Sequence, residues 1–311
     1  MTPDDPTGRL MPGTRISHAM SLFLIRYGEI ALKSYRVRSR FEKSLASSIA
    51  SRFAGAGKEC RIELERGRIF LWADDELFAE RVLARTFGVV SFSKVVETSS
   101  KQEDIFALAA EMSKPLFMKG TRFCVRARRN GEHPYTSMEL ARDAGSAVFL
   151  ANEGMSPKVD LTRPELEIFI DVRQNRAYIY TGSTPGPGGM PPGTQGRVLG
   201  LVMEKRDIAA CWYMMKRGCR VIIAVKNPDD ARPLELWDPD LNVQTIENTE
   251  GLKEMARRRR TEGICVGWTV KGFDEHIQEL AGMEIPVFYP LIGMSEEDVG
   301  RMVRMVEGTA T

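Results

Sequence analysis

Four consecutive apolar residues inside Ser21-Leu22-Phe23-Leu24-Ile25-Arg26-Tyr27 mark a buried strand that ends at Gly28. Apolar residues then recur every fourth position at Val37, Phe41, Leu45, Ile49 and Phe53, which winds one oblique stripe around a helix. Gly55 and Gly57 close that helix, glycine being the residue that enters the left-handed region without penalty. Residues 59–64 and 68–72 read as a hairpin around Arg66-Gly67, followed by a helix over 75–87 and a strand over 89–96. Strand, helix, strand, strand, helix, strand is the ferredoxin-like layout.

A helix over 101–114 opens a second unit, with a strand at 121–128 and a loop at 130–134. Thr136, with Glu139 three residues on, predicts a capped helix from Ser137 to Asn152. Leu166–Val172 and Ala177–Thr181 read as a second hairpin. The Gly/Pro-rich stretch from Gly182 to Gly193 fits neither helix nor ladder strand and reads as a boundary. Beyond it the elements alternate: strand 197–202, helix 205–217, strands 219–225 and 241–246, helix 249–260, strand 263–268, helix 273–281, strand 286–292 and helix 295–307. Ser295 and Asp298 cap the last of these. Alternation of this kind predicts a doubly wound α/β domain. The expected division is a tail at 1–19, an α+β ferredoxin-like domain at 20–97, an α/β unit at 98–183, a linker at 184–195 and a shortened Rossmann-like α/β domain at 196–311.

The net charge of +2 over 311 residues does not announce a nucleic-acid partner, so the distribution along the chain has to. Five cysteines without a C-x-x-C pair, and three dispersed histidines, argue against a disulfide framework or metal cluster. No apolar run approaches the roughly 20 residues that cross a bilayer, and the cytoplasm is the expected compartment. The first 19 residues are polar, rich in Pro and Gly and unlike a secretory signal, so a disordered tail is expected, with Met20 an alternative start.

Lys119, Arg122, Arg126, Arg128 and Arg129 fall in an eleven-residue stretch with no acid. On a strand, Arg122, Arg126 and Arg128 share one face and offer guanidinium groups to phosphates. Lys33, Arg36, Arg38, Arg40 and Lys43 lie at the start of the first helix, whose free N–H groups also favour anions. Tyr35, Phe41 and Tyr135 are candidate base-stacking partners, and together these features point to RNA. Arg257–Arg260 ends a helix, where cations offset the dipole, and reads as structural.

Several strings resemble the tRNA 4-thiouridine synthetases. They are Arg26-Tyr27-Gly28-Glu29-Ile30-Ala31-Leu32-Lys33-Ser34, the stretch from Phe123 to Gly131, and the stretch from Gly189 to Leu199. Met214-Met215-Lys216-Arg217-Gly218 and Pro290-Leu291-Ile292-Gly293-Met294 add to these. The resemblance covers about residues 21–308. It implies that 98–183 is a THUMP domain that grips the tRNA acceptor end together with its ferredoxin-like neighbour. It also implies a PP-loop ATP-pyrophosphatase-like C-terminal domain, and a homodimer. In active members that domain uses ATP and Mg to adenylate a uridine, and sulfur then arrives through a cysteine persulfide.

The family's phosphate loop, Ser-Gly-Gly-x-Asp-Ser, is replaced here by Val202-Met203-Glu204-Lys205-Arg206-Asp207. Two Cβ atoms stand where backbone approaches pyrophosphate. Glu204, with help from Asp207, is expected to cap the helix in place of a ligand, while Lys205 and Arg206 point to solvent. Lys226–Glu262 contains no counterpart of the sulfur-accepting cysteine, and Cys211, Cys219 and Cys265 lie in apolar elements, as buried inert thiols do. The expectation is a tRNA-binding protein of tRNA modification, without catalytic residues, metal or bound cofactor of its own. It would work beside a separate sulfur-transfer or adenylating enzyme. The alternative is a genuine tRNA sulfurtransferase that is completed by a partner protein. A zinc deaminase is excluded by the lack of H-x-E with P-C-x-x-C, and a methyltransferase by the lack of an Asn/Asp-Pro-Pro-Tyr signature.

Overall fold

The computed structural model describes residues 20–65, 67–247, 251–276 and 285–309. The expected tail, Arg66 of the hairpin and the end of the helix expected at 273–281 lie outside those residues.

The first unit contains β1 (Ser21–Arg26), α1 (Tyr35–Gly55), β2 (Cys60–Glu65), β3 (Arg68–Ala73), α2 (Glu76–Ala84) and β4 (Ser91–Ser99). Phe41, Leu45, Ile49 and Phe53 are the buried stripe of α1 and pack on Phe23, Ile25, Ile69 and Leu71 of the sheet. The second unit adds α3 (Gln102–Ser113), β5 (Arg122–Asn130), α4 (Ser137–Ala151), β6 (Lys158–Val159), β7 (Leu166–Arg173), β8 (Arg176–Tyr180) and β9 (Thr184–Pro185). Thr136 and Glu139 form the expected capping box, with Thr136 N–H donating to Glu139 at 2.8 Å.

The two units share one sheet. β4 pairs with β1 through Ser91–Val95 and with β8 through Val96–Ser99, so it belongs to both. The result is a nine-stranded sheet in the order β2-β3-β1-β4-β8-β7-β5-β6, with β9 beside β4. Side-chain alternation follows through every register. Phe23, Phe92, Ile179, Ile170 and Val125 face the helices, and Leu24, Phe70, Tyr178 and Tyr180 line the opposite face.

The third unit contains β10 (Arg197–Val202), α5 (Asp207–Lys216), β11 (Arg220–Val225), α6 (Arg232–Glu235), β12 (Asn242–Thr245), α7 (Leu252–Arg259), β13 (Ile264–Cys265), α8 (Val270–His276), β14 (Val287–Phe288) and α9 (Glu296–Val306). Its strands are all parallel in the order β12-β11-β10-β13-β14, the doubly wound arrangement expected. The strands expected at 263–268 and 286–292 shrink to two residues each, because only those residues find a ladder partner.

The Gly/Pro stretch is not a free linker, which corrects the sequence reading. Thr184 and Pro185 pair with Phe92 and Ser91, and the backbone then runs along the turn between α2 and β4 of the first unit. Gly186 N–H donates to Val90 at 2.9 Å, Gly188 N–H to Val89 at 2.7 Å, and Gly88 N–H to Gly188 at 2.8 Å. Met190 N–H then donates to Lys216 at 2.9 Å, in the third unit. Proline forbids a continuous ladder, but edge pairing through the remaining N–H groups is permitted. Gly189 has φ +76°, and a Cβ there would stand 2.1 Å from the Lys216 carbonyl oxygen.

The strap is matched by an exchange of side chains. Met190 is buried in the first unit's core. Phe87, from the turn after α2, is buried in the third unit's core against Trp237 and Trp212, with ring centroids at 5.6 and 5.4 Å. Arg52 at the end of α1 donates to the Leu236 and Trp237 carbonyls across the same seam. We expect Phe87→Ala to cost about 3–5 kcal/mol. Urea denaturation followed separately by Trp fluorescence and circular dichroism should show one transition in the parent and two in the variant.

Candidate nucleic-acid interface and nucleotide loop

Arg122, Arg126 and Arg128 do share the helix-free face of β5, while Phe123 and Val125 pack beneath α3 and α4. The acid-free stretch of sequence is not acid-free in space. Parallel pairing with β7 sets Glu167 beside Cys124 and brings up Glu165 at the strand's start. Arg126 Nε donates to Glu167 at 2.5 Å. Arg122 lies 3.3 Å from Glu165 and 3.9 Å from Asp160. Arg128 and Lys119 are exposed and form no ion pair with a described residue, and Arg129 donates to the Gly131 carbonyl at 3.2 Å. Of the cluster singled out in the sequence, Lys119 and Arg128 therefore remain free, with Arg122 and Arg126 largely neutralised by neighbours distant in sequence. Exposed Lys158 of β6, registered opposite Arg122, adds a cation that the sequence reading did not name.

The helix cluster lies on the other face. α1 packs on the helix side of the sheet, so Lys33, Arg36, Arg40 and Lys43 emerge opposite Arg122, Arg126 and Arg128. Arg38 is half-buried, 3.9 Å from Glu42 and over the Tyr35 ring. Ser34 makes no side-chain cap, which leaves the first N–H groups of α1 without that partner. Of the aromatic residues expected to stack on bases, Tyr35 is 76% exposed and free to do so. Phe41 and Tyr135 are core residues, the latter donating to the Ser100 carbonyl at 2.6 Å. Leu32, 87% exposed beside Lys33, is an apolar contact that periodicity did not single out. Arg260 ends α7 in the left-handed region, and Arg259 donates to Gln244 at 2.6 Å, as suits a structural helix end.

The loop after β10 sits at the topological switch between β10 and β13, where open parallel sheets place their ligands. Glu204 is not its cap, contrary to expectation. Its side chain turns outward and meets Arg206 at 3.1 Å. No side chain caps α5; the buried carboxylate of Asp207 instead closes the loop, accepting the Met203 and Glu204 N–H groups at 2.8 Å each on Oδ2. Its Oδ1 accepts Gly267 N–H from the loop after β13 at 3.1 Å. The short Asp207 side chain starts inside the crevice, whereas Glu204 finds a cation two residues along. Gly267 makes room, since a Cβ there would lie 2.3 Å from Asp207 Oδ1. Lys205 and Arg206 are likewise not merely solvated: Lys205 meets Glu307 at 2.7 Å, and Arg206 meets Glu296 of α9 at 3.5 Å. Val202 is buried at the strand end, and Met203 is partly exposed.

Burial pushes the Asp207 carboxyl above its ordinary range, and the three N–H donors pull it partway back. Burial also raises the thiols of Cys60, Cys124, Cys219 and Cys265. Cys211 is fully buried.

Two family models match, the ThiI ferredoxin-like domain over residues 22–93 and the THUMP domain over 99–181. A probable tRNA sulfurtransferase from Methanosarcina acetivorans is 32% identical, the match covering 92% of this chain and 81% of that protein. The chain belongs to the tRNA sulfurtransferase family. A second member, from Methanothermobacter thermautotrophicus, is 42% identical over 65% of this chain and 51% of its own length, about half of that relative. A crystal structure of a Pyrococcus horikoshii protein superposes with a TM-score of 0.80 at 29% identity, covering 93% of this chain and all of that one. A 4-thiouridine synthetase–RNA complex with bound ATP superposes with a TM-score of 0.75 at 20% identity, covering 93% and 86%, and shares the fold. Among the described residues no helix is long and apolar enough to cross a membrane.

The raised carboxyl of Asp207 gives this family member a pH signature. The native state holds that proton more tightly than the unfolded chain, so stability falls as pH rises from the ordinary value of 3.8 through the raised one. The difference in urea-unfolding free energy between the parent and Asp207→Asn should therefore change across that interval. A difference independent of pH would show that Asp207 titrates normally.

Proposed function

We propose that this chain is a tRNA-binding member of the sulfurtransferase family that does not adenylate RNA on its own. It acts in tRNA modification by presenting tRNA to a separate sulfur-transfer or adenylating enzyme. The tRNA part rests on the THUMP and ferredoxin-like pair, on the family's name, and on exposed cations flanked by Tyr35 and Leu32.

The observation that carries the second part is the Asp207 carboxylate. Met203 and Glu204 N–H groups, the donors that a nucleotide phosphate would need at this loop, already serve it. To bind there, a phosphate must break hydrogen bonds to a carboxylate worth roughly 1.5–3 kcal/mol each. It would also bring like charge into a buried site. Residues 202–207 therefore do not fit the triphosphate that the family implies. The thiols point the same way, because a raised pKa keeps them protonated and weakly nucleophilic.

Calorimetry should detect no micromolar ATP binding, and the protein with tRNA should catalyse no pyrophosphate exchange. Exchange in the purified protein would favour a complete sulfurtransferase instead, and exchange that appears only with a partner chain would favour an assembled one. In fluorescence titrations, Arg128→Ala should weaken tRNA binding and lower the salt slope by about 1. Arg122→Ala, already paired to two carboxylates, should lower it less. Equal effects would mean that the pairs open on binding.

A further inference from the structure

The basic residues of α1 continue beyond its first turns. Arg36, Arg40, Lys43, Ser44, Ser47 and Ser51 recur at three- and four-residue spacing beside the buried stripe, forming one band of donors. At 1.5 Å per residue the band is about 22 Å long. It leads into a cleft of about 640 Å³ between the ferredoxin-like unit and the C-terminal domain. One wall is the serine face of α1. The other carries Arg81 and Arg85, from α2 and its end, and Arg220 at the start of β11.

The chemistry of the cleft is one-sided. Arg52 is committed to the Arg85, Leu236 and Trp237 carbonyls and fixes the walls. Arg81, Arg85 and Arg220 form no ion pair with any described residue. Against these four cations stand two carboxylates, Asp238 and Asp240. Asp238 accepts Asp240 N–H at 3.1 Å and its charge acts on Arg220 and Arg52, which leaves Arg81 and Arg85 without an acid on this wall. Unpaired guanidinium groups facing a row of hydroxyls suit an anion with several acceptor oxygens. The geometry points to a phosphate-binding cleft, distinct from the loop after β10, with the band along α1 delivering an RNA backbone to it. The cleft faces away from Arg128, so it gives RNA a second hold on the opposite side of the sheet.

The choice of RNA as the source of phosphate rests on the tRNA-binding reading; the cleft itself does not. The test compares the full-length parent with Ser47→Asp/Ser51→Asp, at exposed positions that leave packing intact, and with Arg81→Glu/Arg85→Glu/Arg220→Glu. Each is titrated with tRNA over a range of salt and with inorganic pyrophosphate alone. If RNA enters, both variants lose about 10-fold or more in tRNA affinity, and the arginine variant lowers the salt slope by about 2 or more. Unchanged tRNA affinity, with pyrophosphate binding lost in both variants, would keep the cleft and assign it to a free phosphate ligand. If Ser47→Asp/Ser51→Asp changes neither titration, the cleft proposal is overturned. A parent that binds pyrophosphate but no tRNA would instead sink the tRNA-binding reading and leave the cleft standing.

Discussion

The surface along α1 and the C-terminal domain are fixed relative to each other by the seam between the ferredoxin-like unit and that domain. Each side buries a residue that belongs to the other: Phe87 enters the C-terminal core between Trp212 and Trp237, and Met190 enters the ferredoxin-like core. Exchanged side chains bury apolar area on both sides at once, so neither unit can swing away without opening both cores. The Gly/Pro strap adds backbone hydrogen bonds along the seam, and Arg52 spans it. β4 does the same between the first two units by pairing first with β1 and then with β8 within one sheet. The three units therefore form one rigid surface rather than beads on flexible linkers.

Within that frame, electrostatics is settled locally by short-range partners. The β5 arginines lie alongside carboxylates from β7 and the turn before it, and the loop after β10 holds the internal carboxylate of Asp207. Both follow one rule: a buried or crowded charge takes the nearest complementary group available to it. For the loop that group is the first residue of α5, and Gly267 in the loop after the neighbouring strand supplies the third donor. The crevice at the β10–β13 switch thereby has its loop donors turned inward, onto Asp207.

Much of this is legible in the sequence. The four-residue spacing of Phe41, Leu45, Ile49 and Phe53 is a helix face wherever it occurs, and Thr136 with Glu139 is a capping box through local geometry alone. That residues 202–207 contain no glycine was equally plain. Less legible was which acid would fill it, because Glu204 and Asp207 look equivalent on a helical wheel. They differ only in side-chain length and in what lies across the crevice. Phe41 and Tyr135 looked like stacking residues because aromatic character says nothing about which side of an element is covered.

Local periodicity, caps and chain order thus determined the elements, the alternation of fold classes and the family resemblance, since each depends on residues within a few positions of one another. Tertiary structure alone decided which cations remain free, that the two basic clusters emerge from opposite faces of one sheet, and that the Gly/Pro stretch is a strap. Those outcomes depend on partners far along the chain, such as Glu167 for Arg126, Gly267 for Asp207 and Phe92 for Thr184. Only strand register and sheet pairing bring such residues within hydrogen-bonding reach.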